Sequence, residues 1–100
     1  ANHAPQITVN EGMNVSAKAG EKLTLHVSAK DPDGNEVKLN VWPYPEAGSG
    51  KSEVSLNDGR ITVKVPIDAK KGDTYHVVVE GTDTGSPALT RYRRIVITIA

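Results

Sequence analysis

The chain has 100 residues, no formal net charge, no cysteine, no phenylalanine and only 4% aromatics, so one domain with one core must be built from Val, Ile and Leu. The charge balance argues against nucleic acid as the main partner, because non-specific binding needs a basic field, and no apolar run approaches the roughly 18 residues that span a membrane. Without cysteine there is no disulfide, thiolate metal site or cysteine nucleophile, and the compartment stays undecided.

Ala1-Asn2-His3-Ala4-Pro5 reads as a linker entering a strand. With no initiator Met and no signal-peptide pattern, the chain is expected to be a piece of a larger protein, with residues 1–100 forming a single domain. Residues 6–10 form a short strand with Ile7 and Val9 inward, turned by Glu11-Gly12. Val15 and Ala17 continue a weak edge segment up to the turn at Ala19-Gly20. Residues 21–29 alternate well, with Leu23, Leu25, Val27 and Ala29 on one face.

Asp31-Pro32-Asp33-Gly34 is a turn: Pro32 presets φ, the two Asp side chains can bond nearby N–H groups, and Gly34 tolerates positive φ. In residues 36–42 Val37, Leu39 and Val41 then face one way, while Glu36, Lys38, Asn40 and Trp42 face the other. The only Trp therefore stands off the parity of the core. Residues 45–51 are loop, and 52–56 a short strand with Val54 and Leu56 inward. Asn57-Asp58-Gly59 is a hairpin signal. Ile61, Val63 and Val65 give the next inward face, stopped by Pro66. Residues 68–72 are a turn with room for one helical turn. Tyr75, Val77 and Val79 face inward in 74–82, residues 83–87 are loop, and Ile95, Ile97 and Ile99 close the core from 90–99. Seven or eight strands with turn signals every 8–12 residues predict an all-β, immunoglobulin-like (cadherin- or fibronectin III-like) Greek-key β-sandwich.

Two resemblances have residues to rest on. Ala29-x-Asp31-x-Asp33-Gly34 and Thr82-Asp83-Thr84-Gly85-Ser86-Pro87-x-Leu89 look loosely like cadherin-like domains. Five other motifs span nearly the whole chain: Asn2-His3-Ala4-Pro5, Asp31-Pro32-Asp33-Gly34, Trp42-x-Tyr44-Pro45-Glu46-Ala47-Gly48, His76-Val77-Val78-Val79-Glu80, and Ala88-Leu89-Thr90-Arg91-Tyr92-Arg93-Arg94-Ile95-Val96. Together they resemble the C-terminal domain of a bacterial family described as cellulose-binding. Its full-length members carry an N-terminal domain that looks like a nucleoside hydrolase. Members often have Trp at both positions 41 and 42, and here Val41 stands at the first, which reduces any aromatic platform. The resemblance implies a secreted or periplasmic, hydrolase-like parent protein. It also implies a non-catalytic domain whose partners are polysaccharide or the N-terminal domain of the same chain.

If 36–44, 74–82 and 90–99 are neighbouring strands, Trp42, His76, Val78, Glu80, Tyr92, Arg94 and Val96 share one outward surface. That is unusually apolar for a solvated face, and such patches mark interaction sites. Three readings compete: loop 43–51 folds back over Trp42 as a satellite core, the face docks the N-terminal domain, or it binds sugar. In an extended chain the rings of Trp42 and Tyr44 share a face about 7 Å apart. Flat rings suit the C–H faces of sugars, while Glu46 or Arg94 bond hydroxyls. Trp42, Tyr44, Glu46, His76, Tyr92 and Arg94 are thus the candidate ligand or partner residues.

Asp31, Asp33 and Asp83 are weak candidates for a calcium site at one end of the sandwich. Ca²⁺ takes about 6–8 oxygens, and three carboxylates are too few. In cadherins the neighbouring domain completes the cage, and the acidic linker motif is absent here. Turn capping explains these residues better, so no cofactor is expected. His26 and His76 lie on different strands without a Ser or Cys partner motif, and there is no phosphate loop and no metal-ligand His spacing. Catalysis in this domain is therefore not expected. A purely structural spacer and a cadherin-like calcium-dependent module stand as the alternatives.

Overall fold

A computed structural model describes residues 3–100; Ala1 and Asn2, the start of the linker and of the first motif, lie outside the described residues. Eight strands follow in order: β1 (Gln6–Val9), β2 (Asn14–Ala17), β3 (Lys22–Lys30), β4 (Val37–Pro43), β5 (Glu53–Asn57), β6 (Arg60–Lys64), β7 (Thr74–Asp83) and β8 (Thr90–Ile99). They form two four-stranded sheets, ordered β1-β3-β6-β5 and β2-β8-β7-β4. All pairs are antiparallel except β2 with β8, which run parallel. The fold is an immunoglobulin-like sandwich, as the alternation and turn spacing predict.

Turn chemistry sets the register. Asp58 and Gly59 both take positive φ, 50° and 76°, so the two-residue loop between β5 and β6 twists with its strands. In the turn after β3, the Gly34 N–H donates to the Asp31 carbonyl at 3.0 Å, with Gly34 at φ 81°. The centre of the core comes from three strands, with Ile61, Val63, Val77, Val79, Ile95 and Ile97 wholly buried. These are the inward sets of β6, β7 and β8, the inner strands of the two sheets or their close neighbours. β-branched side chains suit such pleated, two-sided packing.

Two expectations are corrected. Residues 68–72 make no helical turn. The Ala69 N–H donates to the Pro66 carbonyl and the Asp73 N–H to the Lys70 carbonyl, giving separate turns. A single 3-10 turn forms instead at Pro45–Ala47, within the segment expected to be loop. The second correction is to depth. Leu25 and Val27 are buried, but Leu23, Val37, Leu39 and Val41 are only half-buried. β4 ends one sheet and β5 ends the other, and Val54 and Leu56 are half-buried too. Parity is right at these positions, but the side chains lie at the margin of the core rather than in its centre.

Candidate functional site

The two outer faces of the sandwich differ. On β3, β5 and β6 the outward side chains are Thr24, His26, Ser28, Ser55, Asn57, Arg60 and Thr62, an unbroken polar set. On β4, β7 and β8 the pairing aligns Trp42 and Arg94 with Val78, Tyr92 and Asn40 with Glu80, and Val96 with His76. The predicted adjacency of these strands thus brings the predicted surface together.

Trp42 is half-buried and Tyr92 is 56% exposed. Their rings meet edge to face across β7, with centroids 6.4 Å apart and planes at 72°. That arrangement suits the ring quadrupoles. Hydrogen bonding to the cross-strand Glu80 carboxylate, followed by its charge, raises the Tyr92 phenol pKa. Tyr44 is 38% exposed, and the Arg94 guanidinium lies 6.0 Å from its ring centroid. Two diagonal pairs therefore straddle β7: Tyr92 with Trp42, and Arg94 with Tyr44. After Tyr44 (ψ 78°) the chain leaves the strand and enters the 3-10 turn.

Between the pairs is an open depression of about 300 Å³, lined by Tyr44, Val78, Tyr92, Arg93 and Arg94. Arg93 is the residue that sequence reasoning missed. Its parity points inward, opposite Val79. The side chain is half-buried, and its Nη1 donates to the Tyr92 carbonyl at 3.5 Å. The signals in the sequence were an Arg at a core-parity position and its place in the Arg-rich motif of residues 88–96.

The loop after β4 covers His76 rather than Trp42. Tyr44 N–H donates to the His76 carbonyl at 2.8 Å, Ser49 N–H to the Thr74 carbonyl at 2.7 Å, and Thr74 N–H to Ser49 Oγ at 2.9 Å. Gly48 allows this close approach: a Cβ there would stand 2.6 Å from the Thr74 carbonyl oxygen and 2.7 Å from His76 Cδ2. Burial, followed by the Arg94 charge, lowers the His76 pKa, and its Nδ1 is buried without a hydrogen-bond partner. Glu46 is exposed on the 3-10 turn.

The acidic loops hold their own backbone. Asp31 Oδ1 accepts from Asp33 N–H at 2.9 Å and Oδ2 from Asn35 N–H at 3.2 Å. Asp83 Oδ1 accepts from Gly85 and Leu89 N–H, both at 3.0 Å. Asp33 accepts from the His3 N–H, which lowers its pKa. Among the described residues, no group of three or more His, Asp or Glu is placed to hold a metal ion.

A family model for "Cellulose-binding protein Sde0182, C-terminal domain" matches residues 22–99. The chain belongs to this family. A solved relative is a nucleoside hydrolase-related hypothetical protein from Saccharophagus degradans, described as associated with carbohydrate metabolism. It is 34% identical with a TM-score of 0.89, and the likeness covers 100% of this chain and 26% of that one. A second relative is a Fat-like cadherin-related tumor suppressor homolog from Drosophila melanogaster, 32% identical over 79 residues, which are 75% of this chain and 2% of that protein. The chain thus spans about a quarter of the first protein and a small part of the second.

Proposed function

We propose that this chain is a non-catalytic, carbohydrate-binding accessory domain, carried C-terminally on a secreted, hydrolase-like bacterial protein, and that it binds glycan on the outer face of β4, β7 and β8. The observation that carries the reading is the contrast between the two outer faces. One is polar throughout, and the other gathers Trp42, Tyr44 and Tyr92 around Val78. Exposed aromatic surface fits the apolar C–H faces of sugar rings, and Glu80, Glu46 and Arg94 supply acceptors and donors for hydroxyls. The family description and the carbohydrate association of the solved relative support the same substrate class. The family description, a cellulose-binding domain, supports a role without catalysis.

Affinity electrophoresis in a soluble glucan and pull-down on insoluble cellulose test this. Tyr92→Ala and Trp42→Ala are expected to fold and to lose retention. Full retention by both folded variants would remove the face from the function.

Docking onto the N-terminal domain is a second reading, favoured by the 72° ring angle, which presents no flat platform. It predicts that the separately expressed N-terminal domain captures this domain and that Tyr92→Ala abolishes the capture.

A further inference from the structure

The aromatic depression carries more positive charge than a neutral sugar needs. Arg93 and Arg94 both line it, with Tyr44 and Tyr92 as walls and Val78 beneath. Among the described residues no carboxylate lies within ion-pair distance of either guanidinium; the ion pairs present join His3 to Asp33, His26 to Glu11 and Lys64 to Glu53. Glu80 lies on this face too, paired across the strands with Tyr92 rather than with either Arg. The Arg94 guanidinium lies over the Tyr44 ring, and Arg93 Nη1 reaches the neighbouring Tyr92 carbonyl. Each guanidinium has five N–H donors, and one hydrogen bond to Tyr92 uses little of that capacity.

We infer that Arg93 and Arg94 form a carboxylate subsite in this depression, which takes a uronate residue of an acidic polysaccharide. This rests on the carbohydrate reading above and narrows it. A uronic acid joins the two features that the depression offers to separate partners. Its ring presents an apolar face to Tyr44 or Tyr92, and its carboxylate accepts two parallel N–H bonds from a guanidinium. A volume of about 300 Å³ suits one or two sugar units. A neutral glucan would use the rings and leave both charges unanswered.

Isothermal titration of the intact domain against tetragalacturonate, cellotetraose and poly-L-glutamate tests the inference, with thermal unfolding as the check that each variant folds. Tetragalacturonate is expected to bind more tightly than cellotetraose. Arg94→Gln, or Arg93→Gln together with Arg94→Gln, should weaken the uronate by roughly ten- to a hundredfold while changing the neutral oligomer little. Raising salt to 1 M should narrow the gap between the two sugars, since exposed charges are then screened. Arg94→Lys keeps the charge without the planar fork and should restore only part of the affinity. Equal or tighter binding of cellotetraose would overturn the uronate subsite and leave the carbohydrate reading standing. Poly-L-glutamate binding as well as the uronate would reduce the subsite to charge alone and overturn it. Binding of neither sugar would overturn both.

Discussion

Gly48 is the position where one added methyl group matters most. Its φ of −132° is open to any residue, so the requirement is space rather than conformation. A Cβ 2.6 Å from the Thr74 carbonyl meets backbone, which cannot swing aside like a flexible side chain. Gly48→Ala is expected to cost about 1–3 kcal/mol in denaturant unfolding and to lift the loop from His76. His76 beneath it has a pH signature. Its folded pKa lies below the ordinary value because burial and Arg94 disfavour the cation. The unfolded chain therefore binds the proton more readily. Stability from this group is complete above the unfolded value of about 6.5 and is lost as pH falls from there towards the folded pKa. Denaturant midpoints of the wild type and His76→Gln, measured from pH 7.5 to pH 5, should show a steeper acid loss in the wild type. Parallel curves would mean that His76 is as easily protonated folded as unfolded. Trp42 has a milder role in folding. Because it is half-buried, Trp42→Ala should cost well under the ~3–5 kcal/mol of a fully buried ring.

At the scale of the strand, depth decides what a core-parity side chain is worth. Leu25 in β3 is 2% exposed and paired with the wholly buried Ile61 of β6, whereas Leu39 in β4 is half-buried on an edge. Leu25→Ala should cost about 2–5 kcal/mol and Leu39→Ala clearly less, as measured by urea unfolding of the two variants side by side. Equal losses would mean that the β4 margin is as closed as the centre. The sequence made the faces legible because a period of two is a local property: Val77, Val79, Ile95 and Ile97 could be assigned inward from their neighbours alone. The adjacency of β4, β7 and β8 also followed from the sandwich topology, and with it the meeting of Trp42, Tyr92 and Arg94. Depth was not legible, since Leu25 and Leu39 carry the same alternation signal. Nor was the path of the loop after β4, which depends on hydrogen bonds from Tyr44 and Ser49 to a strand some 30 residues away. Arg93 was hidden for a related reason. Its parity is that of the core, and only the folded chain brings the residue to the rim of the depression.

For the molecule as a whole, the ends of the sandwich must be separated from its faces. The cadherin-related relative raises the question of calcium at the end where β3 and β7 give way to their loops. The carboxylates there have other work. Both oxygens of Asp31 accept backbone N–H bonds, and Asp83 Oδ1 accepts two. Asp31 and Asp83 are 6% and 3% exposed, so these bonds stand in place of water. A cation would have to take oxygens from those N–H groups and still find about six ligands. Removing a carboxylate instead leaves buried donors unsatisfied, at about 1–3 kcal/mol. The two accounts separate cleanly. If Asp83 serves as a turn cap, Asp83→Ala destabilises the domain equally in a chelator and in 1 mM calcium, and the wild-type melting temperature is the same in both. If it serves as a ligand, calcium raises the wild-type melting temperature by mass action, and Asp83→Ala abolishes that rise. We expect the first outcome, because a carboxylate satisfied by its own loop gains little by exchanging two backbone bonds for one cation that lacks the rest of its shell.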